Sequence, residues 1–292
     1  MTARLRAVLL GAALLAGLPA AAHATDRLSV AWHPARPTVG DVAWIHVRDV
    51  SAGALLAGSV GDRSLAFFPY DGGQAALVGF DLDTRPGMLG WRVAAQEAGR
   101  PPRLAEGSVP VGRRDFAVQR LTLPTGMVDL DPETERRAIA ETNRMQAVYR
   151  TVTPERLWRG PFMRPVAGTE PGTGFGSRRI INGKPRSPHS AIDYAVDRGT
   201  PVVAVNGGRV ALLGDFFFPG RLVILDHGLG LYTLYFHLDT VAVTDDERVE
   251  RGQIIGTVGS TGRATGPHLH FGALMGGARV DPAVLLQLRL RE

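Results

Sequence analysis

Cysteine is absent from all 292 residues, which excludes disulfides, cysteine acylation and thiolate metal sites together. Lysine is nearly absent: Lys184 stands alone, and every other member of the Lys/Arg set is arginine. This reads as compositional bias of the coding genome, although arginine forks onto carboxylates and phosphates in a way lysine cannot. The net charge of +5 is scattered, with no dense basic run and no interleaved aromatics, which argues against a nucleic-acid partner. Beyond the first two dozen residues no apolar run approaches the roughly 20 residues a spanning helix needs. A His-Glu-x-x-His helix is also missing, so hydrolysis with a glutamate base on a zinc helix is excluded.

What is present suits a folded protein: 45% of residues are apolar and 21% charged, and the length fits two domains joined by a linker. Met1 to Arg6 is a short basic head, followed by an apolar run from Ala7 to Ala22 broken by Pro19. Ala22-His23-Ala24 offers small residues where a signal peptidase reads. Residues 1–24 are therefore expected to be a cleaved secretory signal. The mature chain would begin near Thr25, be exported to a periplasmic or extracellular space, and have no stable membrane insertion after cleavage.

A mainly all-β chain is expected. From Leu28 to Phe116, short alternating runs such as Ala43–Val47, Ser64–Phe68, Ala76–Phe80 and Gly90–Ala94 are separated by turn signals at Asp71-Gly72-Gly73 and Arg85-Pro86-Gly87. They predict a small immunoglobulin-like β-sandwich over 25–118. His33 and His46 are isolated in it and read as packed or surface residues. Asp131-Pro132-Glu133 is a helix start: N-cap acid, proline at the first helical position, then acid at the positive dipole end. The helix is predicted to run to about Arg150, to bury Ile139, Met145, Val148 and Tyr149, and to orient two domains within a linker over 119–160. From 161 to 292 the pattern is β again. Strands are predicted at 201–205, 209–213, 221–225, 231–238, 253–258 and 268–275, with a short helix at 282–288.

Five of the eight histidines lie between positions 189 and 270. His189 and Asp193 are four apart, His268 and His270 two apart, and Tyr235-Phe236-His237-Leu238 lies between. Residues i and i+2 of a strand share a face. His268 and His270 should then project together, with Leu269 and Phe271 directed into a core. By the same period, Tyr235 and His237 should share one face, with Leu234, Phe236 and Leu238 on the other. Zinc suits such a set, since it takes imidazole and carboxylate ligands and a catalytic site keeps one position for water. Imidazoles left over, with ordinary pKa values near 6.5, suit proton transfer. His227 sits in an Asp-His-Gly turn and reads as structural. Gly172-x-Gly174-x-Gly176 lacks the spacing and the following helix of a phosphate loop. Phe216-Phe217-Phe218-Pro219 fits either an exposed aromatic loop or hairpin packing.

The chain resembles the lysostaphin/LytM-type zinc endopeptidases that cut peptidoglycan peptides. The resemblance covers about Pro161 to Leu286. It rests on Phe175-Gly176, Asn182-Gly183, His189-x-x-x-Asp193, Gly199-Thr200-Pro201-Val202, Asp226-His227-Gly228, Tyr235-x-His237-Leu238, Gly252-Gln253-x-Ile255-Gly256 and Thr265-Gly266-Pro267-His268-Leu269-His270. It implies one zinc per chain held by His189, Asp193 and His270, with His237 and His268 as the catalytic imidazoles. The implied fold is a compact antiparallel β domain of the duplicated hybrid motif type with an open groove, and the implied partner is a peptidoglycan peptide. The rival expectation is an inactive LytM-like module that binds the wall and activates another hydrolase. Such modules lose ligands, whereas this chain keeps all five residues. The oligomeric state is left open. Ala191 departs from the family's usual glycine, and the loop 244–248 departs from its usual Gly-Asp turn.

Overall fold

The structure, a computed structural model, describes residues 28–170 and 172–290, so the expected signal segment lies outside the described residues. Eight strands come first: β1 (Ser29–His33), β2 (Val42–Arg48), β3 (Leu55–Val60), β4 (Arg63–Ser64), β5 (Phe67–Tyr70), β6 (Gly73–Gly79), β7 (Gly87–Gln96) and β8 (Arg103–Val111). They form two antiparallel sheets ordered β1-β2-β6-β5 and β4-β3-β7-β8. The single strand expected over Ser64–Phe68 is instead two, because the chain crosses from one sheet to the other at Leu65-Ala66. Alternation in β2 shows why both faces of its sheet are buried. Ala43, Ile45 and Val47 enter the sandwich core, while Val42 and Trp44 pack against the core of the second half of the chain. His33 stacks on Trp44 at 4.0 Å between ring centroids, and buried His46 lies edge-on to Tyr70, so both histidines are packing residues.

Three strands follow, β9 (Val118–Leu121), β10 (Arg178–Ile181) and β11 (Lys184–Pro185), in a small sheet ordered β11-β10-β9. The segment expected to be linker thus supplies a strand, paired in parallel with β10. The remaining strands are β12 (Ala191–Tyr194), β13 (Pro201–Val203), β14 (Gly208–Phe216), β15 (Gly220–Asp226), β16 (Leu231–Val241), β17 (Arg248–Val249), β18 (Ile254–Val258), β19 (Leu269–Met275) and β20 (Ala278–Val280). They make one antiparallel sheet whose main path is β12-β19-β16-β15-β14-β17. The strands at β10, β12, β17 and β20 were not among those expected; each is only two to four residues long.

The long helix spans Pro132–Tyr149 and starts as its sequence dictates: the Asp131 side chain accepts from the N–H groups of Glu133 and Thr134. Met145, Val148 and Tyr149 pack against Leu212, Phe216, Tyr232 and Leu274. Ile139, expected to be buried with them, is 55% exposed. The contact stripe instead passes through buried Ala138 and Glu141, whose carboxylate accepts from Phe217 N. Ile139 is turned about 100° away from Ala138 by the helical period.

Two buried polar devices fix the second half. Arg279 of β20 holds Asp81, behind the first sandwich sheet, through its own N–H (2.7 Å), Nε (3.1 Å) and Nη2 (2.6 Å). His227 is fully buried; its Nδ1–H donates to Gly207 O at 2.7 Å and its Nε2 meets the Thr233 hydroxyl at 2.7 Å. It braces the turn, as the Asp-His-Gly sequence suggests. Burial pushes its pKa down to about 4.

Removing Arg279 (Arg279→Met) is expected to cost about 3 kcal/mol in denaturant unfolding, because Asp81 is left buried without its partner. Adding Asp81→Asn should recover part of that loss; no recovery would show that the pair contributes only packing. His227 has a folded-state pKa below its unfolded one, so its stabilisation is complete above about pH 6.5 and is lost as pH falls toward 4. The stability advantage of the wild type over His227→Asn should shrink by up to about 3 kcal/mol between pH 7 and pH 4. A pH-independent difference would contradict a buried neutral imidazole.

Candidate metal centre and catalytic groove

Strand register brings two of the acceptor groups together. In the β12–β19 pairing Asp193 lies directly opposite His270, while their neighbours Ile192 and Phe271 pair on the core side and are buried. His270 Nδ1 and Asp193 Oδ1 are 2.9 Å apart. On the other flank β16 places Phe236 opposite His270, and the rings stack at 5.4 Å and 8°. Ala191 pairs with Gly272, and even a Cβ built at Gly272 would lie 3.8 Å from the alanine methyl, an ordinary contact, so the departure from glycine is absorbed locally.

His189 arrives from the loop before β12. Its backbone N–H donates to Ser177 O (2.9 Å), and its carbonyl accepts from Gly176 N (2.7 Å). Its Nδ1 lies 3.1 Å from Gly174 O. A carbonyl can only accept, so Nδ1 carries the proton and Nε2 is a bare lone pair. That lone pair lies 3.1 Å from Asp193 Oδ1 and 3.0 Å from His270 Nδ1. The three ligand atoms of His189, Asp193 and His270 form one compact group. Gly174 makes this approach possible: its φ is +105°, and a Cβ there would lie 2.7 Å from His189 Nδ1.

Three acceptor-bearing groups at this spacing could hold a cation. Ligands about 2.0–2.1 Å from a tetrahedral zinc sit about 3.3 Å apart, within a few tenths of an ångström of the distances here. Asp193 fits the same role. Burial alone would raise its pKa, but the two neighbouring imidazoles outweigh that and hold the carboxyl well below the usual range. His270 is lowered in turn by burial, against the opposing pull of Asp193.

His268 and His270 project together, as their spacing predicts, with Leu269 and Phe271 in the core. His237 corrects the simple period-two expectation. Tyr235 and Leu238 are both fully buried in the core, while Phe236 and His237 both face the groove. Arg221 pairs with Leu238 and Val223 with Tyr235, so β16 carries one extra residue there. This bulge inverts the alternation. His237 has φ +62°, a left-handed conformation costing roughly 1–2 kcal/mol in a residue other than glycine. Its N–H donates to Pro219 O (2.8 Å) and its Nδ1–H to Thr261 O (2.8 Å). The Thr261-Gly262 turn fits because Gly262, at φ +68°, lies where a Cβ would be 2.2 Å from Gly220 N.

His268 is held similarly, its Nδ1–H donating to Gly266 O at 2.9 Å. Both imidazoles therefore present an unprotonated Nε2, with ring centroids 4.7 Å apart. Burial, and then the neighbouring His270 and His268, lower the His237 pKa to about 3. The groove they line has a volume of about 520 Å³. Leu121 and Leu123 from the linker, Met145 from the long helix and Phe218 from the β14–β15 turn form much of its apolar wall. The Phe216–Pro219 segment thus divides: Phe216 packs under the helix and Phe218 faces the groove. Sequence inspection missed Gly174, Phe236 and Arg179, which line or shape this site. Only the alternating glycines ahead of His189 signalled a close backbone approach.

Residues 187–282 match the sequence profile of peptidase family M23. The peptidoglycan DD-endopeptidase ShyA of Vibrio cholerae is 39% identical over 95 residues, 32% of this chain and 22% of that protein. The DD-carboxypeptidase/endopeptidase Mpg of Neisseria meningitidis is 44% identical over 94 residues, again 32% and 22%. The aligned part of this chain thus spans less than a quarter of the length of these curated relatives. A crystal structure from Pseudomonas aeruginosa assigned to peptidase M23 matches with a TM-score of 0.68 at 30% identity, covering 86% of this chain and 95% of that one.

Substituting Gly174→Ala should push the His189 ring off its carbonyl and weaken metal binding about 10- to 100-fold, the usual cost of disturbing a ligand's outer partner. Competition against a chelator measures this; unchanged affinity would show that the Gly174 turn does not position His189.

Proposed function

The chain belongs to peptidase family M23, and on that premise we propose that it is a zinc endopeptidase of cross-linked peptidoglycan peptides. The observation that carries this reading is the convergence of His189, Asp193 and His270 in one groove with two further imidazoles. His189 Nε2, Asp193 Oδ1 and His270 Nδ1 would hold the metal. Zinc, when bound, supplies Lewis acidity that makes water a nucleophile near neutral pH and polarises a peptide carbonyl. The ShyA and Mpg names direct the proposal to the D,D-bond of a cross-link. Export to the wall compartment, a signal over 1–24, a docked sandwich over 25–118 and a peptidase unit over 161–292 belong to the same proposal.

His268 Nε2 takes the proton of the attacking water and returns it to the departing amine. His237 is the oxyanion partner, but with Nδ1–H committed to Thr261 O its Nε2 must first gain a proton before it can donate. That proton comes from solvent and is separate from the one His268 relays; burial of His237 opposes it until charge develops on the oxyanion. Phe236 stacks on His270 and fixes the ring plane. The apolar wall of Leu121, Leu123 and Met145 limits water at the groove.

Zinc content and release of cross-linked muropeptides, measured together for wild type, His270→Ala and His268→Ala, test the proposal. His270→Ala should lose metal and activity. His268→Ala should keep most of its zinc and lose turnover by at least about 100-fold, the low end of a general base's contribution. A metal-free wild type that still promotes wall cleavage by another hydrolase would instead support a non-catalytic activator.

A further inference from the structure

Arg179 and Arg263 both line the catalytic groove, Arg179 from β10 and Arg263 from the loop between β18 and β19, near enough for their charges to repel. The cations around the groove differ in how they are answered. Arg186 lies 3.7 Å from Asp129, which also meets Lys184. Arg179 donates through Nε to Gln119 Oε1 at 3.1 Å, and its nearest carboxylate is Asp193, 3.9 Å away and already engaged with His189 and His270. Arg263 has no carboxylate within 4.0 Å among the described residues. It stacks over Phe218 at 4.2 Å and makes one long contact, 3.4 Å, to Met127 O. Burial and the like charges of Arg179 and Arg186 act against its own charge. A half-buried guanidinium held over an aromatic ring, with its donors largely unspent, is pre-organised for an anion. A brace for the Met127 turn would not need a charge.

We infer that Arg179 and Arg263 form a carboxylate-binding subsite of the groove, and that the preferred peptide carries a free carboxylate on the carbon attached to the scissile nitrogen. This rests on the endopeptidase reading above and narrows it. A cross-link made through the amine of a diamino diacid has that carboxylate beside the bond, whereas one made through a lysine side chain does not. Charge-assisted, forked hydrogen bonds would orient the acceptor strand across His268 and His237, and an amide in place of the acid would forfeit them.

The experiment uses the full-length zinc-loaded protein and two purified cross-linked peptide dimers, identical except that the carboxylate beside the scissile nitrogen is free in one and amidated in the other. The wild type should favour the free acid by about 10-fold or more in kcat/KM, chiefly through KM. Arg263→Gln should bring the ratio between the two substrates close to one, and Arg263→Lys should restore part of it. If Arg263 only braces the Met127 turn, both substrates slow alike and the ratio stays at its wild-type value, which overturns the subsite. Equal cleavage of both dimers by the wild type overturns it as well, while leaving the endopeptidase reading intact. Failure of the zinc-loaded wild type to cleave either dimer overturns both.

Discussion

Three lone-pair-bearing atoms, on His189, Asp193 and His270, are held about 3 Å apart in a half-buried groove. Without a cation such an arrangement is costly, because the tautomer of His189 forced by Gly174 O turns a bare nitrogen toward a carboxylate oxygen. Much of the surrounding structure holds that arrangement in place. The β12–β19 register sets Asp193 against His270, the 173–177 turn grips both His189 and the Asp193 backbone, and Phe236 closes the other flank. The core beneath is fully buried and aromatic, with Tyr235 and Phe271 in contact, so strands β12, β16 and β19 have little freedom to relax apart.

The first half of the chain is fastened to this centre rather than tethered loosely. One sandwich sheet buries its inner face in its own core and its outer face against the second half. Arg279 and Asp81 add a multiply bonded ion pair across that junction, and Arg114 reaches Asp281 at 2.5 Å. The linker then runs along the groove, contributing Leu121, Leu123 and Met145 to its wall. A connection expected only to orient two domains is also part of the groove wall. This physical continuity explains how an arginine on a loop of the second half can touch the turn at Met127.

Much of the site was legible along the chain because metal chemistry restricts residue types severely. His189, Asp193, His237, His268 and His270 stand out against a sequence poor in histidine and free of cysteine. The alternation of 268–271 follows directly from strand geometry, and the Asp131-Pro132 start of the helix from its unsatisfied N–H groups. Ile139 was misplaced because periodicity gives the spacing of a helical stripe but not its phase when charged and apolar residues are mixed. The Ser64–Phe68 run was misread because two short strands in different sheets look like one in sequence.

The sequence by itself determined the inventory of groups, the β character and, in regular strands such as 268–271, which residues alternate toward a core, since these depend on local period and side-chain chemistry. Only the tertiary structure decided where those groups point. The bulge at Phe236-His237 depends on pairing with β15 and on the Pro219 and Thr261 carbonyls, which lie 18 and 24 residues from His237. The protonated nitrogen of His237 and of His268 depends on which backbone carbonyl reaches it. Arg179 and Arg263, unremarkable in sequence, became a pair only when two separate loops and strands folded over the same groove. Such outcomes are set by contacts between distant segments, which no local pattern encodes.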